Sequence, residues 1–600
     1  MVSISREISP SWVSARERTL FVGGMTALLL LGAVFRLYAL GGQAFDCDEL
    51  YVLRIEGGSL KEIGALFGRS AFHDFHPPVS YLLFMLWIAL FGAGEAAVRS
   101  LPALLGLVSI ALLGLAGRRI GGVWVGLAGA AFLAVNPLHI AYSQEARPYA
   151  LAVTLTIAAH LLFLRSLGEA SAGNRVAYAL VCAAAIYTHY YVLFALLPHG
   201  LIALWLLWAG DEDSRRAARP TLLAYACAMA TFIAWLPAVL YQVSGKTGEM
   251  SPRVLDLGES PLVRAGFYLK DAAGLGASPF LLPATLALLG LLAFAFTGRE
   301  RLPAAPAESD SGGLPTRRMG AGVLLAGILL AAGLPLLAPR LLFPAAREVL
   351  RAEGYGGAAI EGQLHALLGF TVSLPAAVGV IGLLVLGWPW LSSLPGRLPW
   401  RPAGQSRPLT VRALLAALLL LPVGVVLVLG LGGLPLLAVQ YLLAFEPALA
   451  LALGVGAVRL ARVRWGRLAL APAVLCIALA GLQYQPVSGI FGVRGIPLGR
   501  QTGAWRDLVR ELDRHGGNGL PLVLVDNSRS DPAELYLRDR PMMRIPESGS
   551  AASLPEDFRF VHLVGYPSSE VLLGNLSRAV SLEPRFRVDE FVIYEAHRKM

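Results

Sequence analysis

Three short polar stretches, set in a chain dominated by apolar runs, carry residue types that could do chemistry. FDCDELY holds Asp46, Asp48 and Glu49; HDFHPPVSY holds His73, Asp74 and His76 ahead of Pro77 and Pro78; SQEARPY holds Glu145, Arg147 and Tyr149. A carboxylate beside a hydroxyl can take its proton as general base. An arginine or histidine can neutralise a phosphate leaving group. Each stretch alone also has a plainer reading: a solvated loop start, a proline-stiffened loop at headgroup level, an interfacial Arg/Tyr anchor. Charged and titratable groups next to a membrane are costly, so a shared location for all three argues for function.

The elements that must position these residues are membrane helices. The 600 residues are 56% hydrophobic and 15% charged, against about 45–50% and about 25% in a soluble domain. Apolar runs recur near the roughly 20 residues that span hydrocarbon as a helix. They are continuous and rich in Leu, Ala and Gly, unlike the alternating strands of a closed barrel. The net charge of +10 reflects Arg gathered in short loops, as expected of cytoplasmic loops, and not a nucleic-acid surface. Cys47, Cys182, Cys227 and Cys476 show no CxxC spacing, and three lie in apolar runs, so neither a disulfide framework nor a zinc cluster is implied. The polar, basic N-terminus leads into a long apolar run without a small-residue cleavage signal, which reads as an uncleaved first span.

The charge asymmetry sets an expected topology. A first span near Leu20–Leu40 has Arg6, Arg16 and Arg18 at its cytoplasmic start, which puts the loop from Gly41 outside. Val79–Ala93 is apolar but only about 15 residues long, short for a span and suited to a juxtamembrane helix lying in the interface. If it lies flat, spans near Leu101–Gly117 and Gly121–Ile140 bracket a cytoplasmic Arg118-Arg119, and SQEARPY emerges outside with the acidic loop. The carboxylates and Arg147 are then expected to share one outer face. The alternation continues with Arg165–Arg175 inside, Thr188–Tyr191 outside, Asp211–Pro220 inside and Tyr241–Gly274 outside. Gly298–Arg318 falls inside, Arg340–Glu361 outside, and Pro395–Arg412 and Arg459–Arg467 inside. A last span near Leu468–Leu482 carries the C-terminus out, for about thirteen spans in all. Residues 1–482 are thus expected to form a transmembrane domain, with an outer loop over 41–98 and a juxtamembrane helix over 79–93.

Residues 483–600 read as a small extracytoplasmic α/β domain. GAWRDLVRELDRHGG has Trp505, Leu508, Val509 and Leu512 at helical spacing and closes on glycines. LPLVLVD, FRFVHLVGY and FRVDEFVIYEA read as strands. The domain has no glycine-rich phosphate loop, so packing or acceptor handling is expected of it.

In order, these pieces resemble the large bacterial membrane glycosyltransferases of C-type fold related to protein O-mannosyltransferases and lipid A aminoarabinose transferases. The matching residues are Asp48-Glu49, His76-Pro77-Pro78, FGAGEAAVRSLPALLG over Phe91–Gly106, RRIGG, YSQEARPYAL over Tyr142–Leu151, and Thr188-His189-Tyr190-Tyr191. The likeness covers about the first third of the chain and thins beyond it. It implies an inverting transfer of a sugar from a polyprenyl-phosphate donor to a lipid, glycan or protein hydroxyl, at the outer face of a bacterial inner membrane. By the same resemblance Asp48 is the general base, Glu49 and Glu145 assist, and Arg147 holds the donor phosphate. His76, Tyr149, His189 and Tyr190 line the donor side. Some relatives bind a divalent metal, for which Asp48, Glu145 and His189 are the candidate ligands; oxygen and nitrogen donors alone do not name an ion. Two departures stand out. Metal-binding relatives tend to carry aspartate where this chain has Tyr149, and many have an Arg-Tyr pair in a late span where this chain has Gln440-Tyr441.

A polytopic transporter or lipid flippase is the rival reading, because intramembrane charges also mark transport paths. Against it, no internal repeat of the kind many transporters carry is visible, and the titratable groups fall in outer loops.

Overall fold

The computed structural model describes residues 14–46, 48–53, 76–168, 171–239, 411–431 and 443–462, with isolated helical positions in 287–296 and 467–474. Near the C-terminus it describes 505–515, 520–525, 533–546, 554–563, 567–588 and 591–598. His73, Asp74, Cys47, Gln440 and Tyr441 lie outside the described residues, as do most of the spans expected between 298 and 410 and near 468–482. Among the described residues, six helices are long and apolar enough to cross a membrane: Ala15–Leu37, Glu95–Gly121, Tyr149–Gly168, Val192–Ala209, Glu212–Val239 and Leu443–Ala461. The chain is a polytopic, mostly helical membrane protein with a small C-terminal α/β region.

Local sequence explains where these helices begin and end. Ser14 caps the first helix by accepting the Glu17 N–H at 3.2 Å, the spacing of a capping box. The span expected over Gly121–Ile140 is instead two helices, Val123–Val135 and Pro137–Tyr142. Asn136 accepts the Leu138 and His139 N–H groups, and Pro137 fills the first helical position. An N-cap followed by proline starts a new helix, and it overrides the uniform hydrophobicity that suggested one element. The segment expected as a juxtamembrane helix is helical over Val79–Phe91, 13 residues and thus about 20 Å long, well short of the ~30 Å of hydrocarbon. It stops before Gly92, whose φ of 88° is a left-handed conformation that side chains avoid.

The described chain falls into two compact units. The first comprises Met1–Tyr38, Glu56–Ala89 and Ser100–Leu498; the second comprises Ala39–Ile55, Leu90–Arg99 and Gly499–Met600. In the first unit, small residues let helix backbones approach closely, the usual currency of packing where lipid tails remove a hydrophobic drive between helices. A Cβ on Gly454 of the Glu446–Ala461 helix would sit 2.9 Å from the Val125 carbonyl and 3.0 Å from the Gly129 nitrogen. Trp87 Nε1 donates to Ser100 Oγ at 3.1 Å, tying the juxtamembrane helix to the Glu95–Gly121 helix.

The second unit is built on a five-stranded sheet in the order β2-β1-β3-β5-β4. Its strands are β1 (Leu522–Val525), β2 (Met542–Ile545), β3 (Asp557–Leu563), β4 (Val580–Val588) and β5 (Phe591–Arg598). β1 pairs in parallel with β2 and β3, while β5 runs antiparallel to β3 and β4. FRVDEFVIYEA, expected as one strand, contributes the end of β4 and most of β5, and the register Val588↔Phe591 folds it into a hairpin. β2 and the helix Pro567–Ala579 had no counterpart in the sequence reading. Alternation along β1 sends Leu522 and Leu524 to one face, with Trp505, Leu508 and Leu512 of the Trp505–Arg514 helix. Val523 and Val525 go to the other, with Leu572 and Leu576 of the Pro567–Ala579 helix. The sheet is therefore covered on both faces, which is why β1 reads as a continuous apolar run.

Candidate active site

In the first unit, the polar side of the site is assembled from three segments. His76 precedes the juxtamembrane helix, Arg147 precedes the Tyr149–Gly168 helix, and His189 lies between the Ala172–Ile186 and Val192–Ala209 helices. All three side chains are buried, as is Tyr149. Arg147 Nη2 donates to His76 Nδ1 at 3.1 Å. A guanidinium has only donors, so His76 must accept at Nδ1 and, as the neutral ring, carries its proton on Nε2. His189 Nδ1 accepts the Tyr191 N–H at 3.2 Å, which assigns the same tautomer to the second ring. The His76 and His189 ring centres are 5.2 Å apart, and Tyr149 stands 5.9 Å from the first and 5.6 Å from the second. Tyr142 packs edge-on against Tyr149 at 5.0 Å. An arginine, two imidazoles and an aromatic wall thus lie at the N-terminus of a long helix, whose partial positive charge adds to the preference for an anion.

Backbone bonds hold these segments together. The Val79 N–H donates to the Tyr187 carbonyl at 3.0 Å, linking the HPP segment to the end of the Ala172–Ile186 helix. Tyr190 is engaged elsewhere: its hydroxyl accepts from Trp235 Nε1 at 2.8 Å, while Tyr187 donates to the Thr231 carbonyl at 2.6 Å. Glu145 is half-buried, and its carbonyl accepts the Arg147 N–H at 2.8 Å.

Sequence reasoning passed over the residues that fix SQEARPY. Arg36, fully buried near the end of the first helix, donates to the Leu133 and Ala134 carbonyls at 2.9 and 3.0 Å and to His139 Nδ1 at 2.8 Å. Gln144 Nε2 reaches the carbonyls of Phe35, Arg36 and Tyr38 at 3.3, 3.1 and 2.9 Å, capping acceptors that the helix end leaves open. Ser143 donates to the His139 carbonyl at 2.6 Å. Gly106 makes room for this knot, since a Cβ there would lie 2.8 Å from Arg36 Nε. The available signal was an arginine near the end of an apolar helix, a placement that always demands partners.

In the second unit, Asp48 and Glu49 lie in a turn in which the Asp46 carbonyl accepts the N–H groups of Glu49 and Leu50 at 3.0 and 3.2 Å. Asp48 is half-buried, whereas Glu49 is 1% exposed. The Glu49 carboxylate meets Arg99 in a bidentate pair, Nε to Oε1 at 2.9 Å and Nη2 to Oε2 at 2.6 Å. Its Oε2 also accepts the Asp46 N–H at 3.0 Å. Such a locked pair suits holding the turn and not exchanging a proton.

Among the described residues no group of three or more His, Cys, Asp or Glu is gathered as a metal site.

Residues 75–238 match the family model described as dolichyl-phosphate-mannose-protein mannosyltransferase. No curated protein matches the sequence. Among solved structures, ArnT from Cupriavidus metallidurans in the apo state is 15% identical, with 96% of this chain and 97% of that one covered and a TM-score of 0.41. The same enzyme bound to undecaprenyl phosphate is also 15% identical, over 97% and 98% of the chains, with a TM-score of 0.38. Arabinofuranosyltransferase AftD from Mycobacteria is 16% identical, over 98% of this chain and 42% of that one, with a TM-score of 0.39. Likeness at this level says nothing about chemistry. The family match spans HPP, EARPY and THYY, so the segment carrying His76, Arg147 and His189 is similar to that family.

Proposed function

We propose that this chain is an inverting glycosyltransferase that moves a sugar from a polyprenyl-phosphate donor to an acceptor hydroxyl, at the extracytoplasmic face of a bacterial inner membrane. Asp48 takes the proton of the acceptor hydroxyl as its oxygen attacks the anomeric carbon. The bond from that carbon to the phosphate oxygen breaks from the opposite side, and polyprenyl phosphate leaves with one additional negative charge. Arg147 meets that growing charge, with the Nε2–H groups of His76 and His189 as further donors. Tyr149 gives the sugar and phosphate an aromatic wall. Glu49 keeps the base-bearing turn in shape, and Glu145 shapes the approach to Arg147. The acceptor is a lipid, glycan or protein hydroxyl.

The observation that carries this reading is the buried Arg147 donating to a neutral His76 inside an aromatic surround. A buried guanidinium there favours an anionic ligand, and the family model over the same residues is that of enzymes named for a dolichyl-phosphate sugar. The test is to incubate the purified chain with a panel of polyprenyl-phosphate sugars and follow release of polyprenyl phosphate. Arg147→Ala is expected to lower kcat/KM by about 100-fold or more, as removal of a transition-state charge partner does. Release from no donor in the panel, or full activity in Arg147→Ala, would sink the reading.

A further inference from the structure

The second unit joins the Ala39–Ile55 and Leu90–Arg99 stretches to the C-terminal α/β fold, with side-chain bonds between residues 441 to 491 positions apart. The acidic outer loop contributes to the hydrophobic core of the C-terminal α/β fold: Ala44 is buried with Trp505, Leu508, Leu524 and Phe591. Next to it, the Phe45 N–H donates to the Tyr536 hydroxyl at 2.7 Å. That hydroxyl in turn donates to Glu95 Oε1 at 3.0 Å. Arg506 Nη2 donates to the Gly41 carbonyl at 2.8 Å, and its Nε lies 3.7 Å from the same Glu95 oxygen. Arg99, one helical turn beyond Glu95, gathers the Gln43 and Ala44 carbonyls at 2.8 and 2.9 Å and lies over the Phe45 ring at 5.2 Å. Its remaining donors hold Glu49. The Gly41, Gln43 and Ala44 carbonyls and the Phe45 N–H are thus met by Arg99 or by a side chain of the C-terminal fold. An outer loop with Gly41 and Gly42 at its start has no intrinsic reason to keep one conformation. Burial pushes the Tyr536 phenol up, against the opposing effect of the Phe45 N–H bond, so the hydroxyl keeps the proton that it donates to Glu95.

We infer that the C-terminal α/β fold is the frame that holds the Asp48 turn in its working shape, with Tyr536 and Arg506 as positioning residues. The inference rests on the reading of Asp48 as the base. Neither residue need touch substrate; each restricts the loop from which Asp48 projects, and loss of that restriction lowers turnover without weakening the donor site built around Arg147.

Hydrogen exchange on the full-length protein separates the frame from the chemistry. In Tyr536→Phe, peptides covering residues 40–53 are expected to exchange about fivefold faster, the consequence of losing one hydrogen bond. Peptides covering β1 and β5 should be unchanged. In the same variant kcat is expected to fall about tenfold, the scale of a small misplacement of a reacting group, with the donor KM within about twofold. Arg506→Gln removes the bond to the Gly41 carbonyl from a half-buried side chain and repeats the test should Tyr536→Phe loosen the strands as well. Unchanged protection of residues 40–53 in both variants overturns the frame, whatever Asp48→Asn does to turnover. Transfer that survives Asp48→Asn overturns the base reading, while the exchange result still decides the frame.

Discussion

At the scale of single residues, the two acids of FDCDELY separate by their partners. Glu49 has both oxygens committed to Arg99, whereas Asp48 is half-buried in a turn fixed on either side. With Asp48 proposed as the base, Asp48→Asn is expected to lower kcat by about 10²- to 10⁴-fold. Retention of most of the activity would remove it as base. Glu49→Gln is expected to act differently, by leaving Arg99 buried without its charge partner, at about 3–5 kcal/mol. A thermal shift would register that loss before any change in the pH profile. Sequence alone could not rank these neighbours, because the ranking depends on Arg99, which stands 50 positions away. His76 is an equally local case. The assigned tautomer predicts that His76→Asn, which keeps an acceptor for Arg147, retains more activity than His76→Leu; equal loss in the two variants would count against the Arg147–His76 bond.

At the scale of elements, the site depends on where helices stop. The loop bearing Arg147 is fixed because Asn136-Pro137 breaks a long apolar run and Arg36 and Gln144 bind the pieces to the end of the first helix. Arg36→Met would leave the Gly32, Leu133 and Ala134 carbonyls and His139 without that donor, a loss of about 2–4 kcal/mol. It is expected to lower the detergent melting temperature and the activity together. Gly454→Val should destabilise by forcing apart helices whose backbones are in contact; an unchanged melting temperature would show that the contact is not required. The short helix over Val79–Phe91 was legible from its apolar run and the prolines before it. The break at Asn136 was not taken from sequence, since the hydrophobicity on both sides is continuous and only the cap marks it.

At the scale of the whole molecule, acid sensitivity is expected of the C-terminal fold. Burial lowers the His562 pKa below its ordinary value of 6.5, with Glu570 opposing. For Glu595, burial pushes the carboxyl up, but the bonds from Arg559 and Arg585 outweigh it and hold the group below the usual carboxylate range. Both folded-state values lie below the unfolded ones, so the unfolded chain binds more protons as pH falls. The stability they supply is complete at neutral pH. It declines first below about 6.5 through His562 and again below about 4.3 through Glu595. Exchange of β3 and β5 amides followed from pH 7 to pH 4 should accelerate beyond the intrinsic pH effect. His562→Gln should flatten the upper part of that decline; a profile identical to the parent's would rule His562 out as its source.

What the sequence determined by itself was composition-driven: a polytopic helical chain, a short apolar helix after the prolines, a small α/β region at the end, and three chemical stretches in a family order. Those features depend on runs of similar residues or on contiguous motifs, and both survive without knowledge of contacts. What the tertiary structure decided was partnership. It gave Glu49 to Arg99, His76 to Arg147 and the Gly41–Phe45 loop to Arg506 and Tyr536. It also folded one expected strand into a hairpin. Each of these pairings joins residues far apart in the chain, and the free energy that selects one partner over another comes from burial and geometry that no local pattern encodes.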